Sequence, residues 1–216
     1  MINFGGLQNS WWPLLRGATV SLQITSLSLL IGMVGGTMLA LIFLYGNRFL
    51  RVLAHLYVTI VRGTPMLVQV VTLYYILPSV GIMLPAFWAA VVAIGFNSAA
   101  YVSQIVRAGI LAVGRGQIEA ARTLGFSRRQ IIRYIILPQA FRAIFPALGN
   151  EWVTLIKDSS LASVIGVSEL THQGAIIMSR TYDAITTYAG VALIYLVMTS
   201  LFTALIYFWE QKLRTC

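Results

Sequence analysis

Two carboxylates, Glu151 and Asp158, stand seven residues apart in a stretch, residues 140–166, that is otherwise too apolar for water. On a helix that spacing is almost two turns, so both would share one face about 10 Å apart. Ionisable groups inside membrane-spanning segments are costly and usually face an interior cavity. A cavity with two carboxylates favours a cationic amino acid such as arginine, lysine or histidine. Asn150 and Ser159, beside them in sequence, are further candidates for contact with such a ligand. A plainer reading stays open: Lys157 and Asp158 neutralise their neighbours or lie near a membrane face.

Arg62-Gly63-Thr64-Pro65 is a second polar interruption of an apolar run. Proline removes a backbone donor, and backbone groups freed inside a membrane must find partners in protein or water. Either the chain bends there near one end, with Arg62 reaching the headgroups, or Arg62 lies beside a translocation route, where it can meet an α-carboxylate. Signatures of soluble enzymes are missing. There is no Walker A sequence, no pair of cysteines and no H-E-x-x-H. His55 and His172 are far apart, and neither has an acid in a recognised arrangement. No catalytic residue, metal site or cofactor is expected in this chain.

The elements that must position these groups follow from composition. Of 216 residues 58% are hydrophobic and 10% charged, against about 25% charged in soluble domains. An all-α integral membrane protein is expected, a single domain over 1–216 with five spans at about 17–45, 52–77, 86–110, 140–166 and 187–209. About 20 residues suffice to cross a bilayer. Met1 to Trp12 carries no Lys or Arg, and the following apolar run is too long for a signal peptide, so the first span is expected to be retained. Asn9 or Ser10 can cap a turn before it, with Trp11 and Trp12 as interfacial anchors. Gly32, Gly35 and Gly36 suit close helix approach. Residues 167–186 read as an outward polar connection holding Glu169, His172, Arg180 and Asp183. Cys216 stands alone, so no internal disulfide is expected.

Charge sets the orientation. Arginines 107, 115, 122, 128, 129, 133 and 142 fall in one region, opposed only by Glu119. The positive-inside rule makes it cytoplasmic, and Arg48, Arg51, Lys212 and Arg214 agree. The N-terminus is then outside and the C-terminus inside. Within the basic region Glu119 and Arg122 can pair on a helix surface, and Gly125 permits a helix-ending turn. Ile131, Ile132, Ile135 and Ile136 recur at helical spacing. Ala120 and Ala121 are small enough for close contact with another protein.

Glu119-Ala120-Ala121, Gly125 after three more residues, Ile135 after nine more, and Leu137-Pro138 resemble the EAA loop of bacterial ABC importer permeases. Arg62-Gly63-Thr64-Pro65 followed by Gln69, and Gly149-Asn150-Glu151 followed by Lys157-Asp158-Ser159-Ser160, resemble the polar amino acid subfamily. The resemblance covers essentially the whole chain. It implies a type I importer permease in the bacterial inner membrane, working as a dimer, with a homodimer favoured over a heterodimer. Two ATPase subunits would dock on the loop at about 111–139, through Glu119, Ala120, Ala121, Arg122, Leu124 and Gly125. ATP and Mg would be bound by those subunits, and an external solute-binding protein would deliver the amino acid. The rival reading is an ion-gradient-driven secondary amino acid transporter with Glu151 or Asp158 as its ion site.

Overall fold

The computed structural model describes residues 11–215, without the side chains of residues 214 and 215. The expected cap at Asn9 or Ser10 lies outside the described residues, as does the side chain of Arg214. All regular elements among the described residues are helical. Four helical stretches are long and apolar enough to cross a membrane: Trp11–Tyr45, Ala86–Leu111, Arg128–Ile165 and Ala184–Leu213. A fifth crossing exists if the bent pair Arg48–Gly63 and Met66–Val80 is counted as one.

Helix α1 (Trp11–Tyr45) and helix α4 (Ala86–Leu111) form the principal contact of the bundle. A Cβ placed on Gly32 would come within 2.6 Å of Ser98 Oγ, and one on Gly36 within 2.6 Å of Val102 Cβ. Such distances leave no room for a side chain, so the two backbones approach as small residues allow in lipid. Hydroxyls on α1 then stitch it to its neighbours. Ser28 Oγ donates to the Val91 carbonyl at 3.0 Å, and Thr25 Oγ1 to that of Leu155 at 3.2 Å. Where water is absent, each such bond satisfies a group that would otherwise be costly to bury.

Between α1 and α4 the chain breaks. Helix α2 (Arg48–Gly63), capped by Asn47 Oδ1 accepting from Leu50 N at 2.8 Å, meets helix α3 (Met66–Ile76) at a bend of 106°. His55 stacks against Phe43, ring centroids 4.7 Å apart.

Helix α5 (Arg115–Thr123) and the short helix α6 (Arg128–Ile131) occupy the basic region. Helix α6 passes through one π turn (Ile132–Ile136) into α7 (Leu137–Asp158) and a 3₁₀ segment (Ser159–Ile165). This helical stretch starts at Arg128, because Ser127 and Gln130 form a capping box that begins a helix there.

The stretch 167–186 departs from the polar connection expected of it. It contains helix α8 (Leu170–Thr181), packed on α1 and on the last helix α9 (Ala184–Thr215). Glu169, fully buried, caps α8: its carboxylate accepts from the backbone N–H of Thr171 (2.9 Å) and His172 (2.7 Å). Tyr195 of α9 and Ser21 of α1 donate to it as well, at 2.9 and 3.3 Å. Burial pushes this carboxyl above the ordinary glutamate value, against the pull of those donors. One side chain thus joins three helices.

Candidate functional site

Helix α7 supplies one wall of the site. Glu151, Thr154 and Asp158 recur at helical spacing and line one cavity of about 330 Å³. Facing them are Thr64, Pro65 and Met66 from the break between α2 and α3, with Asn97 and Tyr101 from α4. Glu151 is held by Ser98 of α4, whose Oγ donates to Oε1 at 2.8 Å. The two acids picked from sequence do share a cavity. Asn150 and Ser159 do not line it. Asn150 is exposed one residue round the helix, its carbonyl accepting from Thr154 Oγ1 at 3.0 Å. Ser159 is fully buried where α7 tightens into the 3₁₀ segment, and its hydroxyl donates to the Ile156 carbonyl at 2.7 Å. Lys157 points elsewhere, into a groove with Thr199, Thr203 and Tyr207 of α9.

The opposite wall is irregular backbone, and its bonding shows why that is tolerated. In a continuous helix the Val61 carbonyl would accept from the residue at position 65. That residue is Pro65, which has no N–H. The Gln69 amide nitrogen takes its place, donating to Val61 O at 2.7 Å and to Thr64 O at 3.1 Å. Thr64 Oγ1 accepts from Gln69 at 2.7 Å and donates to the Ile60 carbonyl at 2.9 Å. Arg62 does not line the cavity. Its guanidinium lies over the ring of Tyr101, 5.2 Å from the centroid, next to the cavity wall.

The basic region builds a second site. At the end of α5, Gly125 adopts φ +80°. Phe126 N then donates to Ala121 O, and Gly125 N to Arg122 O, both at 3.0 Å, a Schellman closure. Gln130 Oε1 accepts from Ser127 N at 2.8 Å, starting α6 at once. Ala121 is buried, whereas Glu119, Ala120, Arg122 and Leu124 are exposed. Leu124 is 76% exposed, an apolar group offered to solvent on a basic surface. Gln139 of α7 donates to Gln117 of α5 at 2.6 Å, tying this unit to the helix that carries Glu151 and Asp158.

Cavity-lining residues missed by sequence reading are Thr64, Pro65 and Met66, with Asn97, Tyr101 and Thr154. Thr154 was recoverable, since it lies between Glu151 and Asp158 on their shared face.

Residues 32–215 match the family described as the inner membrane component of binding-protein-dependent transport systems. The chain belongs to that family. It is 37% identical over 217 residues to the glutamine transport system permease protein GlnP of Escherichia coli (strain K12), covering 96% of this chain and 99% of that one. It is 39% identical over 209 residues to the L-cystine transport system permease protein TcyB of Bacillus subtilis (strain 168), covering 96% and 89%. Among solved structures, an amino acid ABC transporter crystallised with histidines superposes with a TM-score of 0.93 at 40% identity, over 98% of this chain and 99% of that chain. The family places the protein in the inner membrane as a multi-pass transport subunit.

Proposed function

We propose that this chain is the translocation subunit of an ATP-driven importer for polar amino acids, and that its cavity receives cationic ones. The observation that carries the cationic preference is the shared wall of Glu151, Thr154 and Asp158 facing the Thr64–Met66 break. The relatives named above act on glutamine and cystine, and the solved transporter was crystallised with histidines, so the family accommodates several side chains on one fold. Two carboxylates lining one cavity favour a ligand that brings positive charge.

The α5–α6 unit supports ATPase docking. It is a capped helical turn with Glu119, Arg122 and Leu124 on its surface. Two ATPase subunits, which would hold ATP and Mg, dock there on the cytoplasmic side. The N-terminus is outside, where a solute-binding protein delivers the amino acid. A second permease copy, identical or a sister chain, completes the pathway. This chain hydrolyses nothing; movement of the docked unit rocks α7 and its carboxylates between outward and inward access.

The test is amino-acid-stimulated ATP hydrolysis in liposomes with ATPase and binding protein supplied. Wild type should be stimulated more by arginine than by glutamine. Glu119→Lys should insert normally and lose the stimulation. Equal stimulation in both would remove Glu119 from coupling, and absence of any ATPase association would remove the importer reading.

A further inference from the structure

The covalent route from the basic turn to the carboxylates runs through an irregular stretch of helix. Helix α6 continues into the π turn Ile132–Ile136, where Leu137 N donates to the carbonyl five residues back, that of Ile132. Pro138 follows at once. It has no N–H, and in a regular α-helix its ring collides with the carbonyl four residues back, here that of Tyr134. A turn widened by one residue eases that collision. Helices bend at prolines and at π turns. A push arriving along the backbone from α6 is therefore taken up at this joint before it reaches Glu151 and Asp158.

Gln139 spans the joint. Its amide nitrogen donates back to the Ile135 carbonyl, inside the π turn, at 3.0 Å, and outward to Gln117 Oε1 of α5 at 2.6 Å. The Ile135 carbonyl only accepts, so the Gln139 edge that meets it is the nitrogen, and Gln117 answers with its oxygen. The bond from α5 thus lands on the first residue beyond Pro138, past the bend. At its other end α5 is closed onto α6 by the Gly125 turn and the Ser127–Gln130 box.

We propose that Gln139 is a coupling strut: a positioning residue that carries movement of the α5–α6 unit past the π–proline joint, so that α7 and its carboxylates move instead of the helix bending at Pro138. The proposal rests on the ATPase-docking reading given above. It concerns transmission only and is independent of which amino acid the cavity takes.

The experiment reconstitutes the permease–ATPase complex in liposomes with binding protein. Labelled arginine and, in parallel, labelled glutamine taken up are measured against phosphate released. In Gln139→Leu the ATPase should stay bound and keep hydrolysing, while uptake per ATP falls about fivefold, the worth of one ordinary hydrogen bond. Gln117→Leu, which leaves α7 untouched, should show the same fall, and it carries the test should Gln139→Leu fail to assemble. Gln117→Glu keeps an acceptor oxygen at the contact and should couple as wild type does. Gln139→Lys combined with Gln117→Glu replaces the bond by an ion pair and should recover most of the loss. A Gln139 that only steadies α7 would lower uptake and hydrolysis together. An unchanged ratio in Gln139→Leu or in Gln117→Leu overturns the proposal while leaving the importer reading standing. Wild type that binds no ATPase, or takes up neither amino acid, overturns both.

Discussion

The cavity wall and the basic helical turn are built on opposite plans. Around the cavity two key polar groups, Asn97 and Glu151, are held by other parts of the chain. Gln69, Asn97, Ser98 and Glu151 are linked across three helices, and the proline break is mended by side chains. The α5–α6 unit satisfies its own ends locally, through the Gly125 closure and the Ser127–Gln130 box, and leaves its side chains outside. One region is held mainly by bonds between helices, the other mainly by bonds within a few residues. The first suits a site whose geometry must survive burial. The second suits a surface that moves as a unit against another protein.

This contrast breaks if substitutions in the two regions behave alike. Glu151→Gln should lower arginine-stimulated hydrolysis about 10–100-fold, since hydrogen bonds to charged groups contribute about 1.5–3 kcal/mol. The complex should still assemble, and stimulation at wild-type level would place Glu151 off the substrate path.

Glu169→Ala strips a cap from α8 and leaves the N–H groups of Thr171 and His172 buried without a partner. A loss of about 3 kcal/mol is expected, read as a lower melting temperature in detergent. A pH signature accompanies it. Because folding raises the Glu169 value, its contribution is full below its ordinary 4.5 and fades as pH rises through the raised value. Melting temperature against pH should lose that decline in Glu169→Ala; an equal decline in both proteins would assign it to other groups.

Gly36→Val drives a side chain into Val102 and the Ala99 carbonyl. Overpacking of this kind costs about 1–3 kcal/mol, and a melting temperature equal to wild type would show that α1 and α4 can separate freely. Smallest in stability are the changes on the turn. Glu119→Lys should alter folding by no more than about 0.5 kcal/mol, as surface substitutions do, while ATPase coupling is lost. Gly125→Ala forces a Cβ into φ +80° with open space around it, so about 1 kcal/mol of strain is expected. If Glu119→Lys melts much earlier than wild type, the turn is part of the core after all.

How far the sequence was legible follows the same division. The long spans were plain because a run without charge has few fates in water, and the basic turn was plain because its glycine acts locally, although its Ser127–Gln130 box was not read. Glu151 and Asp158, which share the cavity, stood out because charge in an apolar helix is conspicuous. Asn150 and Ser159 fall outside that cavity because adjacency in sequence is about 100° of rotation on a helix. Helix α8 was hidden by polar residues at 169, 171 and 172, although Leu170, Gly174 and Ile177 carry the helical period and are buried. Glu169 read as a loop acid because its partners, Ser21 and Tyr195, are remote in sequence. Gln69 looked like one more residue of a motif, and only the carbonyl left bare by Pro65 shows what it does.

That substitute donor has a consequence for how these positions can vary. Pro65 creates a vacancy and Gln69 fills it, so the two form one unit of inheritance. Losing Gln69 alone strands the Val61 carbonyl, while Pro65→Ala alone restores a backbone donor at that position and leaves Gln69 its bonds to Thr64 and Asn97. Their effects should therefore be strongly non-additive.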